Sequence, residues 1–306
     1  MLNTYADLIG ANAVVVIPAY NEERFIGSVV LKTRKIADVV IVVDDGSHDA
    51  TAEIAEAAGA IVVRHDGNKG KGMALNTGFL KAKEYHPDVV ITLDGDWQHM
   101  PEEMALVAAP ILKGDADIVV GSRYLERTSD VPMQRVIGHW GFTSLTNLAS
   151  GVSLTDSQSG YRAFSANALE ALAFSSNSFS VESEMQFLAK DHELKVVEVP
   201  ITIRYVDKPK RNLMSHGLVV LNGILRLVAQ HRPLLFFALP GTFIVLAGLV
   251  LGALVVNNYW LYDNLAIGTA LIVVILLLSG MFLLFTGIVL HSIRVVVMEL
   301  KNSYKP

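Results

Sequence analysis

Along the first 122 residues, short and continuously apolar runs alternate with segments whose apolar positions recur at helical spacing. The runs fall at 13–17, 39–43, 61–63, 89–93 and 118–120, and the helical segments at 22–36, 49–58, 72–84 and 101–112. Strands that are apolar on successive positions and separated by helices predict a mostly parallel α/β sheet covered on both faces. In open sheets of this kind ligands bind beyond the carboxyl ends of the strands. The polar clusters gather there: Pro18-Ala19-Tyr20-Asn21-Glu22 after the first run, Asp44-Asp45-Gly46-Ser47 after the second and Asp94-Gly95-Asp96 after the fourth.

The pattern changes in the last third. Residues 234–256 and 265–290 carry no charged side chain, and each stretch exceeds the roughly 20 residues that cross a bilayer. Leu218, Leu221, Leu225 and Val228 recur at helical spacing beside Arg226, His231 and Arg232, which predicts a helix lying on the membrane surface. The expected organisation is a cytosolic domain over 1–212, an interfacial helix over 213–232 and a two-helix membrane region over 233–306. Arg226 and Arg232 precede the first span and Arg294, Lys301 and Lys305 follow the second, whereas 257–264 between them holds no Lys or Arg. The excess of positive charge therefore puts both ends on the cytoplasmic side.

Composition agrees: 52% of the 306 residues are hydrophobic, high for a wholly water-soluble chain. A net charge of −5 without a dense basic block argues against nucleic acid as a partner. The absence of cysteine excludes disulfides and thiolate metal sites. The apolar run near the N-terminus is cut short by Pro18 and the charged Glu22, Glu23 and Arg24, which does not fit a signal peptide. Two spans and a short tail fit a multi-pass protein of a prokaryotic, archaeal plasma membrane.

Two carboxylates one residue apart, Asp94 and Asp96, repel each other unless a cation lies between them, and hard oxygen ligands suit Mg²⁺ or Mn²⁺. Asp115 and Asp117 have the same spacing but precede their strand, which places them at the opposite edge as a solvated turn. Asp49 reads as a cap for the following helix. Asp44 and Asp45 cannot both cap, so one is available to a base or ribose. Asn68-Lys69-Gly70-Lys71-Gly72 puts two cations and two glycines before a helix N-terminus, a plausible diphosphate contact through Lys69 and Lys71.

Val15 to Glu23, Val43-Asp44-Asp45-Gly46-Ser47, the Asn68 to Gly72 segment, Asp94-Gly95-Asp96-Trp97-Gln98-His99, Gly121-Ser122-Arg123-Tyr124 and Ser159-Gly160-Tyr161-Arg162 resemble, in this order, the family 2 glycosyltransferases of GT-A fold. Within these the likeness is to dolichyl- or polyprenyl-phosphate hexose synthases. The resemblance implies that Pro18, Tyr20, Glu22 and Asp45 hold the nucleoside and that Asp94, Asp96 and Gln98 ligate the metal. It implies that Arg123 and Arg135 clamp a lipid phosphate and that Asp156 lies near the acceptor and donor sugar. Glu182 and Glu184 occupy the region where many such transferases carry a general base; two apart on a helix, they point to different faces, and Glu184 is preferred. His139 has no visible partner.

The resemblance thus implies a nucleotide-sugar donor such as GDP-mannose or UDP-glucose and a dolichyl or polyprenyl phosphate acceptor, with homo-oligomerisation left open. Residues 131–152 read either as surface helices on the sheet or as a membrane-facing acceptor region. A processive polysaccharide synthase of the same fold would carry a Gln-x-x-Arg-Trp segment, which is missing. A scaffold that only binds a nucleotide sugar would not need Asp94, Asp96 and Gln98 together.

Overall fold

The computed structural model describes residues 10–125, 133–174, 181–203, 231–262 and 266–303, with a few single positions between 221 and 229. The chain divides into two compact units, Met1–Ile224 and Leu225–Pro306. The expected interfacial segment 213–232 and the basic residues Lys208, Lys210 and Arg211 lie almost wholly outside the described residues.

The first unit is a seven-stranded sheet in the order β3-β2-β1-β4-β6-β5-β7. The strands are β1 (Ala13–Ala19), β2 (Val39–Asp44), β3 (Ile61–Arg64), β4 (Val89–Thr92), β5 (Ile118–Ser122), β6 (Arg162–Phe164) and β7 (Val196–Pro200). The helices are α1 (Ile26–Thr33), α2 (Thr51–Ala57), α3 (Lys71–Lys83), α4 (Met104–Leu112), α5 (Met133–Ser150), α6 (Ala166–Ala171) and α7 (Val181–Asp191). The first five strands coincide with the apolar runs of the sequence.

Both faces are covered, as continuous apolarity requires. On β1, Val15 and Ile17 join Ile26, Val29, Val30 and Met104 on one side, and Val14 and Val16 join Leu75, Phe79 and Val120 on the other. Strand β1 pairs in parallel with β2 on one flank and β4 on the other, so the chain reverses direction of winding at β1 and leaves a crevice at the carboxyl ends.

Strand β6 breaks the parallel pattern, running antiparallel to both β4 and β5 with Arg162 opposite Thr92 and Val120. A reversed strand begins where its neighbours end. The loop at 151–161, which feeds β6, is thereby delivered to the same edge as the Asp94 loop.

In the second unit, a π-helical turn (Leu234–Ala238) leads into α8 (Leu239–Tyr262), and α9 spans Ile267–Ser303. Two segments, Leu234–Tyr262 and Ile267–Val297, are long and apolar enough to cross a membrane. They pack closely through small residues: a methyl group on Gly241 would stand 2.7 Å from the Gly280 carbonyl oxygen. Gly248 and Gly252 of α8 face Leu277 and Val273 of α9. The stretch expected to connect the spans, 257–264, is mostly helical, because nothing in Asn257 to Tyr262 breaks the helix. The second helix likewise continues beyond Leu290.

Candidate active site

The loops after β1, β2 and β3 fix one another mainly through backbone amides. Asp44 accepts from Ser47 N (3.0 Å) and faces Arg64 Nε at 3.1 Å. Asp45 accepts from Lys69 N (2.9 Å), Gly70 N (2.8 Å) and the His65 ring at Nδ1 (2.8 Å). Its carboxylate therefore shapes the turn that enters α3. Asn21, with φ +55°, donates its N–H to the Ser47 hydroxyl and accepts from His48 N. Glu22 N donates to Thr51 Oγ1 (2.8 Å); Asp49, expected to cap the following helix, instead lies one residue before its N-cap Ala50 and accepts from Thr51 N at 3.1 Å as a two-residue turn. Tyr20 stands edge-on to His48, at 6.4 Å between ring centres.

At the end of β4, Asp94 Oδ1 lies 2.7 Å from Lys71 Nζ, and the same ammonium lies 2.8 Å from Glu182 Oε1. Burial alone would raise the Asp94 carboxyl, but Lys71, with smaller help from His99, holds it down to about 2. Asp96 goes the other way, pushed up to about 7 first by burial and then by the Asp94 charge. Gln98 N donates to Asp96 Oδ1 (3.1 Å), closing the loop around the left-handed Trp97. His99, whose motif position had suggested no task, accepts the Asp94 N–H at Nδ1 (3.0 Å). Burial pushes its pKa down to about 4, so the ring is neutral and carries its proton on Nε2.

Gly160 lies directly against the ion pair. A methyl group there would stand 2.8 Å from both Asp94 Oδ2 and Lys71 Nζ. Of the two glutamates, Glu182 is the one whose carboxylate joins Lys71. Both are buried on α7. Lys71 belongs to a loop distant in sequence, so helical phase alone could not reveal the pairing.

At the end of β5, the Arg123 guanidinium meets Asp156 through Nε and Nη2 together, a bidentate pair with Asp156 fully buried and Arg123 8% exposed. Against burial, Arg123 lowers the Asp156 pKa. His139 does have a partner: its Nδ1 lies 2.7 Å from the Tyr124 hydroxyl. Arg135 is in the first turn of α5, but its side chain lies outside the described residues. Lys69 is exposed on the rim of its loop. Within 131–152 a single helix covers Met133–Ser150, and its outer face shows Ile137, Trp140 and Leu148, with Trp140 72% exposed.

Two groups given no role from the sequence complete this edge, Arg162 fully buried and Glu198 partly so. Arg162 donates to the carbonyls of Ser157 and Ser159, both at 2.8 Å, and sits among Glu182, Asp156 and Glu198. Glu198 accepts from the amides of Thr155 and Asp156. Arg162 closes the Ser159 to Arg162 motif but shows no task in the sequence, and Glu198 carries no local mark; the reversal of β6 and the pairing of β7 with β5 bring them here.

Among the described residues no three His, Asp or Glu side chains converge to form a metal cage. The site instead offers the two carboxylates Asp94 and Asp96 with Gln98 beside them. That set fits a hard cation completed by phosphate and water oxygens, as is usual for Mg²⁺ at nucleotide sites.

The description "Glycosyl transferase family 2" matches residues 14–173. The chain is 36% identical to the UDP-N-acetylglucosamine–dolichyl-phosphate N-acetylglucosaminyltransferase of Methanococcus voltae, over 68% of this chain and 90% of that one. It is 32% identical to an undecaprenyl-phosphate mannosyltransferase of Micrococcus luteus, over 67% and 88%. Among solved structures, glucosyl-3-phosphoglycerate synthase from Mycobacterium tuberculosis in complex with Mn²⁺, UDP and glucosyl-3-phosphoglycerate superposes with a TM-score of 0.57, at 24% identity over 73% of this chain and 82% of that one. The fold, the strand-end motifs and these matches agree, and the chain belongs to the family 2 glycosyltransferases.

Proposed function

We propose that this glycosyltransferase moves a hexose or N-acetylhexosamine from a nucleoside diphosphate to a polyprenyl phosphate at a membrane surface. The observation that carries the reading is the joint presence, at one sheet edge, of the Asp94/Asp96 pair with Lys71 and of the Arg123–Asp156 pair, in a chain with two helices of membrane-spanning length. The named activities of the Methanococcus and Micrococcus relatives support the same acceptor class.

In this reading Pro18, Tyr20 and Glu22 border the nucleoside, and Asp45 contributes by holding the Lys69–Gly70 turn whose amides and cations face the diphosphate. Asp94, Asp96 and Gln98 hold Mg²⁺ or Mn²⁺, which supplies charge neutralisation for the departing nucleoside diphosphate. Lys71 adds a cation on the same side, and Glu182 orients it. Arg123 and Arg135 receive the acceptor phosphate, while Asp156 fixes Arg123 and Glu184 supports α7 from within. The apolar outer face of α5 meets lipid beside them. The catalytic unit and both ends of the spans lie on the cytoplasmic side, the arrangement favoured by the basic residues flanking the spans.

A phosphate monoester has a second pKa of about 6 and is largely dianionic at neutral pH, so the nucleophile needs alignment more than a strong base. Attack on the anomeric carbon forms the new C–O bond as the bond to the diphosphate breaks, with inversion. An α-linked donor gives a β-linked lipid product; isolation of an α-linked product would refute single displacement. The direct test is transfer of labelled sugar from a panel of sugar nucleotides to dolichyl and undecaprenyl phosphate in membranes, with Mg²⁺ or Mn²⁺ and with chelator. Transfer is expected to need the cation and to collapse in Asp96→Ala. Undiminished transfer by that variant would overturn the metal assignment.

A further inference from the structure

The loop at 151–161 has little regular structure, yet it must hold Asp156 against Arg123 in one geometry. Several contacts hold its ends: Asn147 bonds both the N–H and the carbonyl of Leu154, and Thr143 accepts from Ser157 N. The centre depends on Glu198. Its Oε2 accepts from Thr155 N at 2.8 Å; its Oε1 accepts from Asp156 N at 3.0 Å and from the Thr155 hydroxyl at 2.9 Å. Thr155 Oγ1 also lies 2.6 Å from Ser122 Oγ, beside Arg123 in the chain.

Strand β7 pairs with β5 so that Glu198 lies opposite Val120, two residues before Ser122. From that register its carboxylate reaches the loop amides on the carboxyl side of the sheet. We propose that Glu198 is a positioning residue for the acceptor phosphate: it fixes Thr155 and Asp156, and Asp156 in turn sets the plane of the Arg123 guanidinium. This rests on the reading of Arg123 as an acceptor-side cation. A guanidinium gripped along its Nε–Nη2 edge cannot rotate about that edge, so its Nη1 end keeps one direction. Removing Glu198 leaves three donors without their acceptor and lets the loop, and the arginine with it, take other positions.

Three variants test the idea. In Glu198→Ala, the KM for polyprenyl phosphate is expected to rise about tenfold, as the loss of charge-assisted hydrogen bonds implies, with the KM for the sugar nucleotide unchanged. Glu198→Gln is isosteric and keeps a carbonyl oxygen for the amides, so it should recover much of the acceptor KM. If the alanine variant does not fold, Glu198→Asp, whose shorter carboxylate falls short of the loop amides, carries the test with the same expected rise in acceptor KM and faster labelling of Arg123. Labelling of Arg123 by phenylglyoxal, followed by mass spectrometry, reads the guanidinium without any turnover. It should be slow in the unaltered chain and several-fold faster in Glu198→Ala. Equal labelling in the unaltered and alanine forms, or a rise in both KM values together, would overturn the positioning role. If the unaltered chain transferred sugar to no polyprenyl phosphate, the functional reading would fall, and the labelling would still decide whether Glu198 holds Arg123.

Discussion

The half of the sheet formed by β3, β2, β1 and β4 and the half formed by β6, β5 and β7 present loops to the same edge by different means. In the first half all strands are parallel, and Asp44, Asp45 and Asp49 hold their loops largely by accepting backbone N–H groups nearby. In the second half one strand is reversed, and the loop before it is held by side chains from α5, β6 and β7. The two halves meet where Lys71 bridges Asp94 and Glu182. Amide-held loops make a rigid shelf that depends on few partners. The loop before β6 depends instead on side chains from three separate elements, with Asp156 held by the Arg123 guanidinium.

The largest expected effect strikes the shelf. Asp45→Ala leaves two backbone donors and the His65 ring without an acceptor, at a cost of about 3 kcal/mol or more. Thermal unfolding in detergent should show a clear fall, together with weaker nucleotide binding; an unchanged midpoint would mean the shelf holds itself without Asp45.

Acid should act where the halves meet. His99 is held neutral with a pKa near 4 by burial, against 6.5 in the open chain. Above pH 6.5 neither state takes up the proton and the contribution of the neutral ring is complete. As pH falls from 6.5 to 4 the unfolded chain binds a proton that the folded ring refuses, so the His99 contribution drops by up to about 3 kcal/mol, while Asp96, raised to about 7, takes up its proton in the folded chain over the same range and opposes that loss. His99→Gln, which keeps an acceptor for the Asp94 N–H, should remove that loss, so that the variant gains stability relative to the unaltered chain as unfolding curves are taken from pH 6.5 to 4. Identical slopes in both proteins would assign the acid sensitivity elsewhere.

A smaller change probes the junction itself. Gly160→Ala puts a methyl group against the Asp94–Lys71 pair. Both atoms it meets end flexible side chains, so the fold should survive while Mn²⁺ affinity and transfer fall about tenfold, near 1.4 kcal/mol. Calorimetric titration with Mn²⁺ measures this, and unaltered affinity would show that the pair is loosely set.

The smallest effect belongs to the opposite edge. Asp117, expected in a solvated turn with exposed Asp115, instead accepts from Lys195 N and the Ser165 hydroxyl and ties β5 to its neighbours. Asp117→Ala should cost about 1 kcal/mol and leave transfer unchanged. Loss of transfer would remove the distinction between the two acidic pairs.

Much of the first half was legible because its signals are local. A buried parallel strand must be apolar throughout, so the runs at 13–17, 39–43 and 89–93 located β1, β2 and β4, and the residues just after them located the site. Strand β6 is three residues long and β7 is only half-buried, so neither leaves a periodic mark. Glu182 could not be paired with Lys71 from the sequence, nor His139 with Tyr124.

By itself the sequence determined the covered parallel sheet, the strand-end acidic pair and the two helices of membrane-spanning length. Those follow from which side chains avoid water and which must face it, a property of each segment alone. Only the tertiary structure decided that Glu182 reaches Lys71, that Gly160 admits the pair and that Glu198 lies behind Arg123. These contacts join segments that only the reversal of β6 and the pairing of β7 bring to one edge, and no local preference encodes such meetings.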